Sequence, residues 1–182
     1  MIYVSMSIRI CGGIYRSRKI ICPSKGVRPT SSYVKEAIFS TLGEDMDGSK
    51  VLDLFSGSGN LGIEAISRGA GEVVFVDKSG RCIHTIEENL NSLGAKDKAT
   101  LIHSDAGAFI HKCTKRFDII FMDPPYNKGL ATKIAPVVCR LLIGSGILVI
   151  EHSPREKVDP SETETWKRVI YGDTCVTYTK KG

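Results

Sequence analysis

The sequence predicts an α/β protein built on a mostly parallel, doubly wound sheet, and three observations carry that reading. Apolar β-type runs alternate with amphipathic helical segments through the middle of the chain, joined by short connections. The first of these runs leads into a glycine-rich turn and then a helix. Beyond residue 152 the alternation stops, and two β-type runs around Gly172 and Asp173 read as an antiparallel hairpin closing the sheet. With 182 residues, 42% of them hydrophobic, the chain is long enough for one well-buried domain and short for two.

Residues 6–11 and 18–22 read as short strands around "GGIYRS", a hairpin or small sheet. "PSKGVRPTSS" is a loop whose end offers the helix caps Thr30, Ser31 and Ser32. Val34, Ala37, Ile38, Thr41 and Leu42 then fall at helical spacing. Parallel strands are expected at 50–55, 72–77, 99–104, 117–123 and 146–152, with helices near 60–69, 79–94, 105–113 and 130–142. Pro136 falls inside the last helix, which must kink there or start later. Right-handed crossovers leave few ways to connect these elements.

The net charge of +5 is unevenly placed. Residues 1–35 carry seven basic side chains and no acid, so the rest of the chain is at −2. Such a segregated block is the footprint expected for a polyanion partner, or else a solvated tail. Six cysteines stand far apart without a C-x-x-C pair, which argues against a zinc ribbon or disulfide framework and for a reduced cytoplasmic setting. No apolar run approaches the ~20 residues of a membrane span, and Arg9 interrupts the N-terminal apolar stretch too early for a signal peptide.

Two motifs carry chemistry. In "VLDLFSGSGNLGIEA", glycines at 57, 59 and 62 follow a buried strand and open a helix, as G-x-G-x-x-G does. A dinucleotide would put its pyrophosphate there. S-adenosylmethionine would instead use an acid beside the glycines, for which Asp53 is placed. Asp77 ends the next strand, twenty residues past Gly57, where a carboxylate accepts ribose hydroxyls of either ligand. Asp105 could accept from an adenine amino group beside Ala106, or cap the following helix, and the two roles are compatible. The second motif is "FDIIFMDPPY", which places Asp123, Pro124, Pro125 and Tyr126 at a strand end on the ligand-binding edge, if the first and fourth strands of the series are neighbours. An exocyclic amine on a nucleobase is a poor nucleophile because its lone pair is delocalised. Asp123 and the Pro124 carbonyl supply acceptors for its N–H bonds, Pro125 stiffens the turn, and Tyr126 offers a stacking face worth ~1–3 kcal/mol. No metal is expected, since a sulfonium already carries its leaving group.

"RPTSSYVKEAIF", "VLDLFSGSGNLGIEAISRGA", "FVDK" and "FDIIFMDPPY" together resemble the RsmD-type bacterial methyltransferases, which methylate the exocyclic N2 of a guanine in small-subunit rRNA. The resemblance runs from residue 9 to the final hairpin. It implies a Rossmann-like S-adenosylmethionine-dependent fold with a seven-stranded sheet, its last strand antiparallel, and a small N-terminal β extension that helps hold RNA. Residues 1–30 are then the RNA-contacting extension and 31–182 the methyltransferase domain. It further implies that Asp53, Phe55, Gly57 and Gly59 form the methionine-end loop, Asp77 and Lys78 the ribose site, and Asp105 and Ala106 the adenine flank. Asp123 to Tyr126 would be the catalytic pocket, while Arg16, Arg18, Arg28 and Thr30 match the basic RNA-binding positions. Asn60 stands where a small or apolar residue is expected. The implied partner is small-subunit rRNA or the assembling 30S particle, met by a monomer. Rival readings are an adenine-N6 methyltransferase with the same pocket, an NAD-dependent oxidoreductase, which gives D-P-P-Y no role, and a non-catalytic RNA-binding assembly protein.

Overall fold

The computed structural model describes residues 6–23, 30–160 and 163–182. Arg28 therefore lies outside the described residues. Strands β1 (Met6–Arg9) and β2 (Lys19–Cys22) pair antiparallel as a separate two-stranded sheet. Helix α1 (Ser32–Leu42) follows, capped by the Ser31 side chain, which accepts from the Val34 N–H. Next come β3 (Lys50–Leu54), α2 (Asn60–Ser67), β4 (Glu72–Asp77), α3 (Gly80–Leu93) and β5 (Ala99–His103). The chain continues through α4 (Ala106–Lys112), β6 (Phe117–Met122), α5 (Leu130–Val138) and β7 (Leu142–His152), and ends in the hairpin β8 (Glu164–Tyr171) and β9 (Thr174–Lys180).

The seven strands of the main sheet lie in the order β5-β4-β3-β6-β7-β9-β8. Only β9 runs against its neighbours in this sheet, so the expected mostly parallel arrangement with an antiparallel last strand is present. The chain leaves β3 toward β4 and β5, then returns to the other side of β3 as β6. That reversal opens a crevice at the strand C-termini, where ligands bind in open α/β sheets.

Parallel strands covered on both faces read as near-continuous apolar runs, and the residue parity decides which face each side chain joins. Val51, Phe75, Phe121 and Val149 pack on the face that receives α2 and Ile38 of α1. Leu52, Val76, Met122 and Ile150 pack on the other, against α4 and α5. Ile8, Ile10 and Ile20 of the N-terminal hairpin join the first of these cores. Asn89 of α3 serves as a pseudo-strand for the hairpin: its Oδ1 accepts from the Ile21 N–H and its Nδ2 donates to the Ile21 carbonyl.

Two element boundaries differ from the sequence expectation by more than two residues. The helix after Gly129 ends at Val138 and passes into a 3-10 turn over Cys139–Leu141, because Pro136 in its last turn removes a donor from the ladder. Strand β7 starts at Leu142 rather than Gly146. Glycines 144 and 146 hide that strand in the sequence. At Gly146 a Cβ would stand 3.1 Å from the Phe117 carbonyl, so a close backbone approach requires the glycine. Among the described residues, no helix is long and apolar enough to cross a membrane.

Candidate active site

The crevice beside β3 is a cleft of ≈ 760 Å³, within the range of small-molecule sites. Its floor is the turn between β3 and α2. The chain bends sharply at Phe55, whose φ of 72° is in the left-handed region, and the Phe55 and Ser56 amides both donate to the Val76 carbonyl at 3.0 Å. Gly57 and Gly59 follow at φ 54° and 78°, where a side chain would be strained. Gly62 has a different reason. A Cβ there would sit 2.2 Å from the Phe75 ring and 2.9 Å from Asp53 Oδ2, so α2 lies on β4 only because this position is bare. Gly62→Ala is expected to cost about 1–3 kcal/mol by overpacking, since the buried Phe75 ring cannot withdraw. A urea melt reads that loss as a lower midpoint at unchanged slope.

The acids expected at strand ends are fixed by backbone donors. Asp77 takes the Gly57 N–H on Oδ2 at 2.9 Å and the Ser79 N–H on Oδ1 at 2.8 Å. Each carboxylate oxygen can accept more than one donor, so Asp77 is oriented and still able to take hydroxyls. Lys78 lines the same wall, and its carbonyl accepts from His103 Nε2 at 2.9 Å. Asp105 caps α4, accepting from the Gly107 and Ala108 amides through Oδ1, and also borders the cleft beside the buried Ala106. The capping role is thus realised, and the second oxygen is compatible with a ligand contact.

Asp53 is only 3% exposed, and its Oδ2 accepts the Gly62 N–H at 2.9 Å. Burial pushes its carboxyl up to about 7, against the pull of the Gly62 bond and with help from the Asp77 charge.

β3 and β6 are neighbours, as the placement of the D-P-P-Y segment requires. Asp53 pairs with Phe121 and Leu54 with Met122, so Asp123 emerges beside the glycine turn. Asp123, Pro124, Pro125 and Tyr126 all line the cleft. Pro124 is buried, Asp123 and Tyr126 are half-buried, and Asn127 follows at φ 59°, reversing the chain away from the site. The Tyr126 hydroxyl lies 3.1 Å from Thr174 Oγ1, which ties the aromatic ring to β9.

Four site-shaping residues were not foreseen from the sequence. Glu151, at the C-terminal end of β7, lines the cleft at 3% exposure and accepts the Thr30 hydroxyl on Oε1 at 2.8 Å. Its signal was a lone acid in the apolar run "GILVIEH". Asn60 is the reverse case of an apparent misfit. Its Nδ2 donates to the Thr30 carbonyl at 3.1 Å and its Oδ1 accepts from Lys35 Nζ at 2.8 Å. Lys35, fully buried, also pairs with Glu64 at 2.9 Å and donates to the Arg9 carbonyl. Glu64 in turn accepts the Cys11 and Gly12 amides and Arg68 Nε. Burial would raise the Glu64 carboxyl, but the Lys35 charge and these donors outweigh it and hold it below its ordinary value.

The basic positions divide. Arg16 is exposed on the hairpin connection, and Arg18, also exposed, donates to the Ser92 carbonyl near the end of α3 at 2.6 Å. Thr30 sits in the cleft wall, and Arg28 lies outside the described residues.

Known proteins match this arrangement over nearly its whole length. The family described as "Conserved hypothetical protein 95" matches residues 8–180. The YlbH protein of Bacillus subtilis (strain 168) is 37% identical over 186 residues, covering 96% of this chain and 99% of that one. Ribosomal RNA small subunit methyltransferase D of Haemophilus influenzae is 35% identical over 136 residues, covering 72% of this chain and 70% of its own. Among solved structures, the yhhF protein of Escherichia coli superposes with a TM-score of 0.87 at 28% identity, covering 97% of this chain and 98% of its own. A Thermus thermophilus 16S rRNA N2 G1207 methyltransferase (RsmC), solved with AdoMet and guanosine, gives a TM-score of 0.75 at 25% identity, over 98% of this chain and 50% of that one. The sheet order is thus that of a Rossmann-like methyltransferase. With this cleft, this sheet and these relatives, the chain belongs to the RsmD-type methyltransferase family.

Proposed function

We propose that this chain transfers a methyl group from S-adenosylmethionine to the exocyclic N2 amine of a guanine in small-subunit rRNA. One observation carries the reading: the pairing of β3 with β6 opens the glycine turn and the Asp123–Tyr126 segment onto a single cleft. The names of the relatives support rRNA as the substrate class, and the RsmC complex supports the cofactor and the N2 position.

The residues present fit that cofactor. Asp77 holds two oxygens ready for ribose hydroxyls, Asp105 and Ala106 border the adenine end, and Asp53 with the turn from Phe55 to Ser58 borders the amino acid end. When bound, S-adenosylmethionine supplies an electrophilic methyl group on a sulfonium that departs as a neutral thioether. The chain's own task is to orient the attacking nitrogen. Asp123 and the Pro124 carbonyl accept the two N–H bonds of the amine, so its lone pair leaves conjugation with the ring and points along the line of transfer. Tyr126, tethered through Thr174, stacks on the base and excludes water from one side. The positive charge that methylation would place on the nitrogen lies beside the Asp123 carboxylate, which would stabilise it. The surplus proton leaves the nitrogen afterwards, through Asp123 to solvent.

The target base must leave its stack to enter such a cleft, and RNA affinity comes largely from phosphate contacts. Arg16, Arg18 and Arg28 are the proposed phosphate contacts, with Thr30 at the cleft wall where RNA and cofactor meet. The double variant Arg16→Ala/Arg18→Ala is expected to weaken RNA binding and to flatten its dependence on log salt by roughly one unit for each arginine taken off a phosphate. An unchanged affinity and slope would remove both arginines from the interface.

The decisive experiment supplies 30S particles or naked rRNA from a strain lacking the protein, with labelled S-adenosylmethionine, and identifies the methylated nucleoside by mass spectrometry. N2-methylguanosine is the expected product. N6-methyladenosine would reassign the target, and cofactor binding without transfer would make the chain a binding protein.

A further inference from the structure

Among the described residues, the methyl-transfer reading leaves one buried acid of the cleft unused, Glu151. Strand parity places it on the same face of the sheet as Asp53. Asp53 pairs with Phe121, Phe121 pairs with Val149, and Glu151 lies two residues beyond Val149. Both carboxylates line the cleft, and each is 3% exposed.

Two acids buried in one wall repel each other and are poorly solvated, a costly arrangement unless a cation completes it. Among the described residues, the buried cation of this region, Lys35, is committed to Glu64, Asn60 and the Arg9 carbonyl. The groups acting on Glu151, among the described residues, are the Thr30 hydroxyl, the Asp53 charge and the Tyr178 phenol. Those acting on Asp53 are the Gly62 amide and the Asp77 charge. Burial pushes Glu151 up to about 7, as it does Asp53, with repulsion from Asp53 adding to the effect and the Thr30 bond opposing it. The Thr30 hydroxyl meanwhile fixes which way Glu151 points.

We infer that Glu151 acts with Asp53 as a two-carboxylate receptor for the α-ammonium group at the amino acid end of the cofactor. This rests on the proposed use of S-adenosylmethionine. The ligand class it selects is a nucleoside whose sulfur side chain ends in a primary ammonium, and Thr30 becomes the positioning residue of that receptor. An ammonium seated there favours the ionised carboxylates, so binding releases protons wherever the empty pair is partly protonated. A single group with pKa near 7 that must ionise for binding makes affinity rise about tenfold between pH 6 and pH 8.

The test uses two ligands and the whole chain. S-adenosylhomocysteine carries the amino acid end, whereas 5′-methylthioadenosine keeps the nucleoside and lacks that end. Glu151→Gln is expected to weaken S-adenosylhomocysteine about tenfold or more and to leave 5′-methylthioadenosine unchanged. Thr30→Val is expected to do the same to a smaller degree. Titrating the unaltered protein calorimetrically at pH 6.5, in buffers of different ionisation enthalpy, should show proton release with the first ligand and less with the second. Equal weakening of both ligands by Glu151→Gln, or equal proton release with both, overturns the assignment. Lost turnover with unchanged S-adenosylhomocysteine affinity overturns it too, moving Glu151 to the target-base side. If S-adenosylhomocysteine fails to bind the unaltered protein, the cofactor reading itself is what falls.

Discussion

Asp123→Ala should lower the rate of methyl transfer about 1,000-fold at saturating cofactor and RNA, while cofactor affinity stays close to that of the parent. The size follows from what the carboxylate is asked to do. In the proposed reaction it accepts one amine N–H before transfer, faces the positive charge on nitrogen during transfer, and takes the proton afterwards. Alanine removes all three, whereas the turn that places the residue is held by Pro124 and Pro125 and by the strand pairing of Leu54 with Met122. Single-turnover kinetics with preformed enzyme–cofactor complex separates the transfer step from RNA binding and product release. Asp123→Asn keeps an acceptor oxygen but loses the charge, and should fall between the two. A fully active Asp123→Ala variant would remove Asp123 from the chemistry.

The largest expected stability effect lies away from the reaction, at Lys35. Lys35→Met should lower stability by about 3–5 kcal/mol, on the order of 10 °C in melting temperature for a chain of this size. Methionine keeps much of the volume, so the loss is electrostatic. Glu64 stays buried with Arg68 and the Cys11 and Gly12 amides, but without its main countercharge. The pH dependence has a definite sign. Glu64 is held below its ordinary value in the folded protein, so its contribution is present above the unfolded pKa and is lost as pH falls through the folded one. Removing Lys35 raises the folded value, so the gap between variant and parent should be widest near neutral pH and narrow in acid. Thermal melts at pH 7.5 and pH 4 measure both. Since Lys35 also holds Asn60, and Asn60 holds the Thr30 carbonyl, the variant should bind S-adenosylhomocysteine more weakly as well.

The site residues separate by how local their reasons are. Asp77, Gly57, Gly59 and Asp123 could be read from the chain because each sits at a fixed distance from a strand end. In a parallel sheet every strand end opens on the same edge. Gly62 was legible too, since helix-on-strand packing beside a turn needs a bare position there. Asp105 showed both of its possible roles in the sequence, and the cap is the one its geometry displays. Glu151 and Lys35 are different. In the chain each is one charged residue in a β or helical run, where the usual expectation is a solvent-facing side chain. Nothing local shows that Thr30 reaches across 121 positions to Glu151, or that Glu64 collects amides from residues 11 and 12.

By itself the sequence determined the alternation of strands and helices, the glycine turn, the acids at the strand ends and the rigid Asp-Pro-Pro-Tyr bend. All of these depend on period, φ restrictions and short-range spacing, which are properties of contiguous residues. Tertiary structure alone decided that β6 lies beside β3, that Glu151 faces the same cleft as Asp53, and that the basic N-terminal hairpin is fastened by a buried ion network. Those outcomes come from burial. A charged side chain withdrawn from water takes partners wherever the packed chain offers them, and the partners' distance along the sequence carries no signal of the pairing.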